Sequence, residues 1–104
     1  MKSLNVHELH ELLQRQAVTV LDVREHDELQ IAALPQVLHI PLQELPARVD
    51  ELPRQKPLAV LCHHGMRSAM ATQWLQQQGF TDVANIDGGI DAWSLLIDAD
   101  TPRY

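Results

Sequence analysis

A single cysteine, Cys62, stands among the 104 residues. One cysteine excludes an internal disulfide and a cysteine-rich zinc centre, and it predicts a reducing, cytoplasmic setting in which a lone thiol stays available. Positive charge is also scarce. Eight Lys and Arg against 14 Asp and Glu leave a formal charge of −6, which argues against a nucleic-acid partner or an anionic membrane surface. No apolar run approaches the ~20 residues of a membrane-spanning helix. The stretch Met1 to Glu8 lacks the apolar core of a signal peptide. Internal repeats, low-complexity tracts and linkers are missing too. What remains, with 45% hydrophobic residues, is a globular chain: one domain over residues 1–104, large enough for one core and too small for two.

Prolines divide the chain unevenly. Pro35, Pro41, Pro46, Pro53 and Pro57 cut the first part into short elements, and no further proline comes before Pro102. A short strand is expected at Lys2 to Leu4. Asn5 and Glu8 form a capping-box pair, and Val6, Leu9, Leu12 and Leu13 recur at helical spacing, so Val6 to Gln14 reads as a helix. Ala17 to Leu21 is an apolar, β-branched run without alternation, as in a strand covered on both faces. A short helix at His26 to Ile31, a strand at Val37 to Ile40 and a brief helix at Leu42 to Val49 follow. Leu58 to Leu61 reads as a strand running straight into Cys62. Ser68 to Gln78 reads as a helix, with Met66, Met70 and Trp74 stepping by four and Gly79 as its stop. Val83 to Ile86 is the last strand, Asp87-Gly88-Gly89 a turn, Ile90 to Leu96 a helix, and Asp98 to Tyr104 an irregular tail. Strands alternating with helices predict an α/β fold: a central, mainly parallel five-stranded sheet with helices on both faces. The carboxyl ends of such strands share one edge, where ligands bind. Asp22, Cys62 and Asp87 fall on it.

The loop Cys62-His63-His64-Gly65-Met66-Arg67-Ser68 lies between a strand and a helix, where unpartnered helix amides favour a thiolate. It resembles the active-site loop of rhodanese-like sulfurtransferases, C-x-x-G-x-R-S. Leu21-Asp22-Val23-Arg24-Glu25 resembles that family's L-D-V-R-E signature, His39-Ile40-Pro41-Leu42 its N-I-P-L segment, and Asp87 to Trp93 its G-G-x-x-A-W signature. The four matches stand in the family's order and cover nearly the whole chain. The tail from Gly89 to Ser94 and on to Pro102-Arg103-Tyr104 is similar to rhodanese domains fused to the adenylating enzymes of molybdopterin and thiamine synthesis. One stretch departs: the family has Gly-His-Ile-Pro-Gly-Ala where this chain has Ala32-Ala33-Leu34-Pro35-Gln36-Val37.

The resemblance implies a two-step sulfur transfer. Cys62 takes sulfane sulfur from a small anionic donor such as thiosulfate, becomes a persulfide, and passes the sulfur to cyanide, a small thiol or a protein thiol. Neither a general base, a cofactor nor a metal is called for. His63, His64, Gly65, Met66, Arg67 and Ser68 are the expected substrate-binding residues. Gly65 suits a loop turning its amides inward as an anion nest, and Arg67 is expected to hold the anionic donor. Ser68 is expected to cap the following helix. Four residues between Cys62 and Arg67 make a tighter ring than the C-x5-R cradle of protein tyrosine and cell-cycle phosphatases. A phosphatase is therefore a weaker alternative, beside a non-catalytic sulfur-carrier module. His63 and His64 add donors, and some charge when protonated. With Cys62 they are metal ligands by type, but neighbours on one tight loop rarely converge on an ion. Asp22 and Arg24 read as a structural pair near the loop, Trp74 and Trp93 as core, and Glu8, Glu11, Glu25, Asp27 and Glu28 as solvated helix faces.

Overall fold

A computed structural model describes residues 1–104. Five strands, β1 (Ser3–Leu4), β2 (Thr19–Asp22), β3 (Leu38–His39), β4 (Leu58–Leu61) and β5 (Val83–Ile86), form one sheet in the order β1-β5-β4-β2-β3. All four pairings are parallel. The helices are α1 (Val6–Gln14), α2 (His26–Ile31), α3 (Leu45–Arg48), α4 (Met66–Gln77) and α5 (Gly89–Leu96).

β4 holds the centre because its four residues, Leu58 to Leu61, are all buried. Its side chains alternate between two cores, as strand geometry requires. Leu58, Val60 and then Cys62 join the core with Ala71 and Leu75 of α4 and with Leu45 of α3. Ala59 and Leu61 join the core with Val6 and Leu9 of α1 and with Ile90 and Trp93 of α5. Each large aliphatic side chain so buried stabilises the fold by roughly 1.5–3 kcal/mol. The alternation aims Cys62 at α4 instead of α5, which decides the side chains its sulfur meets.

The capping box is formed: the Glu8 amide donates to Asn5 Oδ1 at 2.8 Å and the Asn5 amide to Glu8 Oε1 at 3.0 Å. Elsewhere the boundaries shift. The stretch expected as one helix from Leu42 to Val49 is a 3-10 turn, a single turn of α-helix and a second 3-10 turn, because Pro46 supplies no amide there. α4 starts two residues earlier than expected, at Met66. Its core face is Ser68, Ala71, Thr72 and Leu75. The Met66-Met70-Trp74 row looks outward: Met66 is 78% exposed, Met70 60%, and Trp74 is half-buried. Trp74, expected as core, packs half-buried against the edge of one core cluster, whereas Trp93 is buried in the other.

Candidate active site

Cys62 follows β4 directly and is 1% exposed. Two groups touch its sulfur. The Gly65 amide donates to Sγ at 3.1 Å, and Ser68 Oγ lies 3.2 Å away. Gly65 has φ 103°, left-handed backbone that closes the loop and makes Gly65 the N-cap of α4. A Cβ there would press on the Gly88 amide at 3.2 Å. Ser68 therefore does not cap α4. It sits in the first turn with its hydroxyl turned inward to Cys62 and to Asn85 Oδ1 of β5. Asn85 in turn donates through Nδ2 to the Gly65 carbonyl at 3.2 Å and towards Asp87 Oδ1 at 3.4 Å.

The other half of the loop rests on α5. The Ile90 amide donates to the Cys62 carbonyl at 3.0 Å and the Asp91 amide to the His63 carbonyl at 3.1 Å. Gly89 makes this approach possible: a Cβ on it would collide with both carbonyl oxygens. The G-G pair after β5 thus serves the cysteine loop, holding two of its carbonyls against a helix start.

Arg67 is engaged differently from expectation. Its guanidinium forms a two-pronged pair with Glu28 of α2, at 2.7 and 2.8 Å. Glu28, read from sequence as a solvated face, has a side chain only 16% exposed and accepts further hydrogen bonds from the Glu25 amide and from Tyr104 Oη, each at 2.9 Å. Arg67, helped by these other donors and opposed by burial, holds the Glu28 carboxyl down to about 2. The paired guanidinium is pushed above its usual range, chiefly by Glu28. The Arg67 charge is therefore already balanced by an acid in this structure.

Beneath that pair lies a second. Arg24 is fully buried and clasps Asp22, with Nη2 to Oδ2 at 2.7 Å and Nε to Oδ1 at 3.0 Å, as the structural reading expected. It also donates to the Ala32 carbonyl at 2.9 Å and to Tyr104 Oη at 2.9 Å. The tail, irregular in secondary structure, is thus fastened: Tyr104 bridges Arg24 and Glu28 and stacks on His63 with ring centres 3.7 Å apart. In the stretch departing from the family pattern, Gln36 adopts φ 61° where that pattern has glycine, a conformation costing a residue with a Cβ roughly 1–2 kcal/mol.

His63 lies between Tyr104 and His64, and burial followed by His64 lowers its affinity for a proton. The charge expected from His63 is thereby disfavoured. His64 Nε2 is 3.9 Å from Asp91 Oδ2. One donor atom each from His63, His64 and Asp91 lie within 4.8 Å of one another, a set that suits a zinc-class ion by type. The third donor comes from α5, not from Cys62. Arg103 already holds Asp91 at 3.0 Å, and the two imidazoles lie face to face at 3.9 Å, so an ion would have to displace the one and splay the others. A cavity of about 620 Å³ opens at the opposite edge of the sheet around Val18, Thr19 and Pro57, away from this chemistry.

Sequence reasoning missed Glu28, Asn85 and Tyr104. Asn85 carried a signal: it is the one polar residue in a strand, Val83–Ile86, that is buried throughout.

The chain belongs to the rhodanese-like domain family, whose pattern matches residues 5–96. It is 40% identical over 111 aligned residues to the Rhodanese-like/PpiC domain-containing protein 12, chloroplastic, of Arabidopsis thaliana, an alignment covering 99% of this chain and 37% of that protein. It therefore spans little more than a third of this relative. It is 30% identical over 92 residues to thiosulfate sulfurtransferase GlpE of Shewanella oneidensis, covering 88% of this chain and 91% of that one. A crystal structure of a rhodanese-related protein from Thermoplasma volcanium superposes with a TM-score of 0.86 at 38% identity, covering 98% and 96% of the two chains. The parallel five-stranded sheet is thus the family's fold.

Proposed function

We propose that this chain is a sulfurtransferase that carries sulfane sulfur on Cys62, with thiosulfate or a similar small anion as donor. The observation that carries this reading is the sulfur's setting. Cys62 Sγ sits at the carboxyl edge of a parallel sheet, held by the Gly65 amide and Ser68, in a loop of the family's pattern. In the loading step the Cys62 thiolate attacks the outer sulfur of thiosulfate. A Cys62–sulfur bond forms, the donor's S–S bond breaks, and sulfite leaves with that bond's electron pair. An acceptor thiol or cyanide then attacks the outer sulfur of the persulfide and returns the Cys62 thiolate. The protein supplies orientation and hydrogen bonds and needs no separate base, because the nucleophile is already an anion when it reacts.

With Arg67 committed to Glu28, contacts to the donor fall to the loop amides from His63 to Met66 and to His64, which is exposed. Incubation with thiosulfate and intact-mass measurement tests the reading. One added sulfur is expected, and none in Cys62→Ser. Loading without turnover of thiosulfate and cyanide would place the chain among sulfur carriers instead of enzymes.

A further inference from the structure

Two residues other than glycine have left-handed backbone, Gln16 at φ 53° and Gln36 at φ 61°. Each sits where a turn demands it. At the end of α1 the Gln16 amide donates to the Leu13 carbonyl at 3.1 Å and the Ala17 amide to the Leu12 carbonyl at 2.9 Å, a double closure whose left-handed residue is usually glycine. Before β3, Pro35 and Gln36 make a turn with proline first and the left-handed residue second, again a place that favours glycine. Turn geometry thus explains the backbone at both positions but not the glutamines, which carry a Cβ into a conformation that disfavours one. What the two share is a place. Both line the cavity of about 620 Å³ at the amino ends of β2 and β4. Strain kept at two positions that meet in one cavity asks for a function of the side chains themselves.

We propose that this cavity binds a small carboxylate that also carries an amide, the chemistry of an N-acylated amino acid. Charge decides the carboxylate. Lys56 is the one charged residue in the lining. It is exposed and takes no part in the ion pairs of the chain. In a protein of net charge −6, a wall with an ammonium and no acid favours an anion. A single ammonium answers a single negative charge, so a carboxylate suits it better than a doubly charged phosphate ester. Hydrogen bonding decides the amide. A glutamine side chain both donates and accepts, and Gln16 and Gln36 are both exposed, so the pair can answer the N–H and the C=O of one amide. Leu13 and Val18, half-buried in the same lining, leave apolar surface for the body of the ligand. The volume falls within the roughly 300–1,000 Å³ of small-molecule sites. The cavity lies away from Cys62, and its use does not depend on the sulfur chemistry. Its Pro35-Gln36 wall belongs to the stretch in which the chain departs from the family pattern, so the site is a property of this chain and not of the fold.

Titration of isotope-labelled protein with N-acetyl-leucine, followed by amide NMR, tests the proposal. Saturable shifts are expected at Gln16 to Val20, Gln36 and Lys56. N-acetyl-leucine amide, which lacks the charge, and isocaproate, which lacks the amide, should each bind about tenfold weaker, and Lys56→Gln should weaken N-acetyl-leucine to the same degree. Gln16→Gly and Gln36→Gly are the most telling variants, because glycine suits both backbones. Each should leave the urea midpoint unchanged or raised and still weaken binding several-fold. The proposal is overturned if no saturable shift occurs at these residues, if the shifts centre elsewhere, or if the uncharged analogue binds as well as the acid. It is equally overturned if the glycine variants bind like the wild type, or if their midpoints fall, since the glutamines would then serve the fold and not a ligand. None of these readouts involves Cys62, so the outcome stands whether or not the chain transfers sulfur.

Discussion

The two flanks of the cysteine loop are built from different materials. On the β5 side, the two groups on the sulfur, the Gly65 amide and the Ser68 hydroxyl, are neutral, and so is the Asn85 amide behind them. On the α2 side, Arg24, Asp22, Glu28 and Arg67 form two ion pairs linked by the Tyr104 hydroxyl, and none of them is hydrogen-bonded to the sulfur. Neutral groups surround the atom that, in the proposed reaction, changes its own charge, where a fixed full charge would bias it permanently. Opposed charges fix the wall, where nothing needs to change. The ionic side is rigid because each charge is answered. A buried cation such as Arg24 would be costly if it were not.

Four measurements would break or sharpen this contrast. The largest effect belongs to the neutral side: Cys62→Ser should fold normally and show no thiosulfate:cyanide transfer, since no other thiol exists. Next, Gly89→Ala places a methyl against the carbonyl oxygens of Cys62 and His63, both backbone and unable to swing away. A destabilisation of about 2–4 kcal/mol is expected, readable as a fall in the urea midpoint, and an unchanged midpoint would mean that α5 does not bear on the loop.

On the charged side, Glu28→Gln and Arg67→Ala should each lower stability by roughly 1–2 kcal/mol once solvent screening is allowed for. The double variant should lose no more than either single one. The sign with pH follows from the lowered Glu28 carboxyl. Its contribution is fully present above the unfolded carboxyl's ordinary value near 4.5 and is lost as pH falls from there through about 2. Acid titration of stability should show that loss in the wild type and less of it in Glu28→Gln. If Arg67→Ala leaves stability alone and raises KM for thiosulfate tenfold or more, the guanidinium binds donor after all and the contrast fails. The smallest effect is expected for Tyr104→Phe, which removes only the bridging hydroxyl. A loss of about 0.5–1.5 kcal/mol by chemical denaturation is anticipated, with sulfur transfer unchanged.

Much of this architecture was legible in residue order because it is local. Asn5 and Glu8 meet within one helical turn, Leu58 to Leu61 leads without interruption into Cys62, and a cysteine followed by Gly65 announces a strand-loop-helix junction. What stayed hidden joins distant positions. Glu28 and Arg67 are separated by 39 residues, and Tyr104 by 76 and 80 from its two partners. No periodicity records such a meeting, so a charged residue destined for a pair looks like one destined for solvent. Trp74 fills its expected core place only in part, although the Met66-Met70-Trp74 row marked the helix correctly. Its spacing is helical, but a spacing of four marks a face without saying which face the sheet covers, and Ala71 and Leu75 turned out to define that side. Ser68 was placed in the right turn with the wrong task, because a serine near a helix start is a cap only when the chain leaves its side chain facing the helix amides.

The stack of Tyr104 on His63 makes the protein its own indicator. Tyr104 is the only tyrosine, its ring lies against the residue next to Cys62, and burial, opposed by the Arg24 hydrogen bond and helped by the one to Glu28, raises its affinity for its proton. Ultraviolet difference absorbance of that one phenol therefore reports from the mouth of the site without any label. Alkaline titration should show ionisation above the ordinary phenol range while the tail is seated, and a return towards that range once it detaches. A shift in the same spectrum on adding thiosulfate would register events at the cysteine from a ring that takes no part in them.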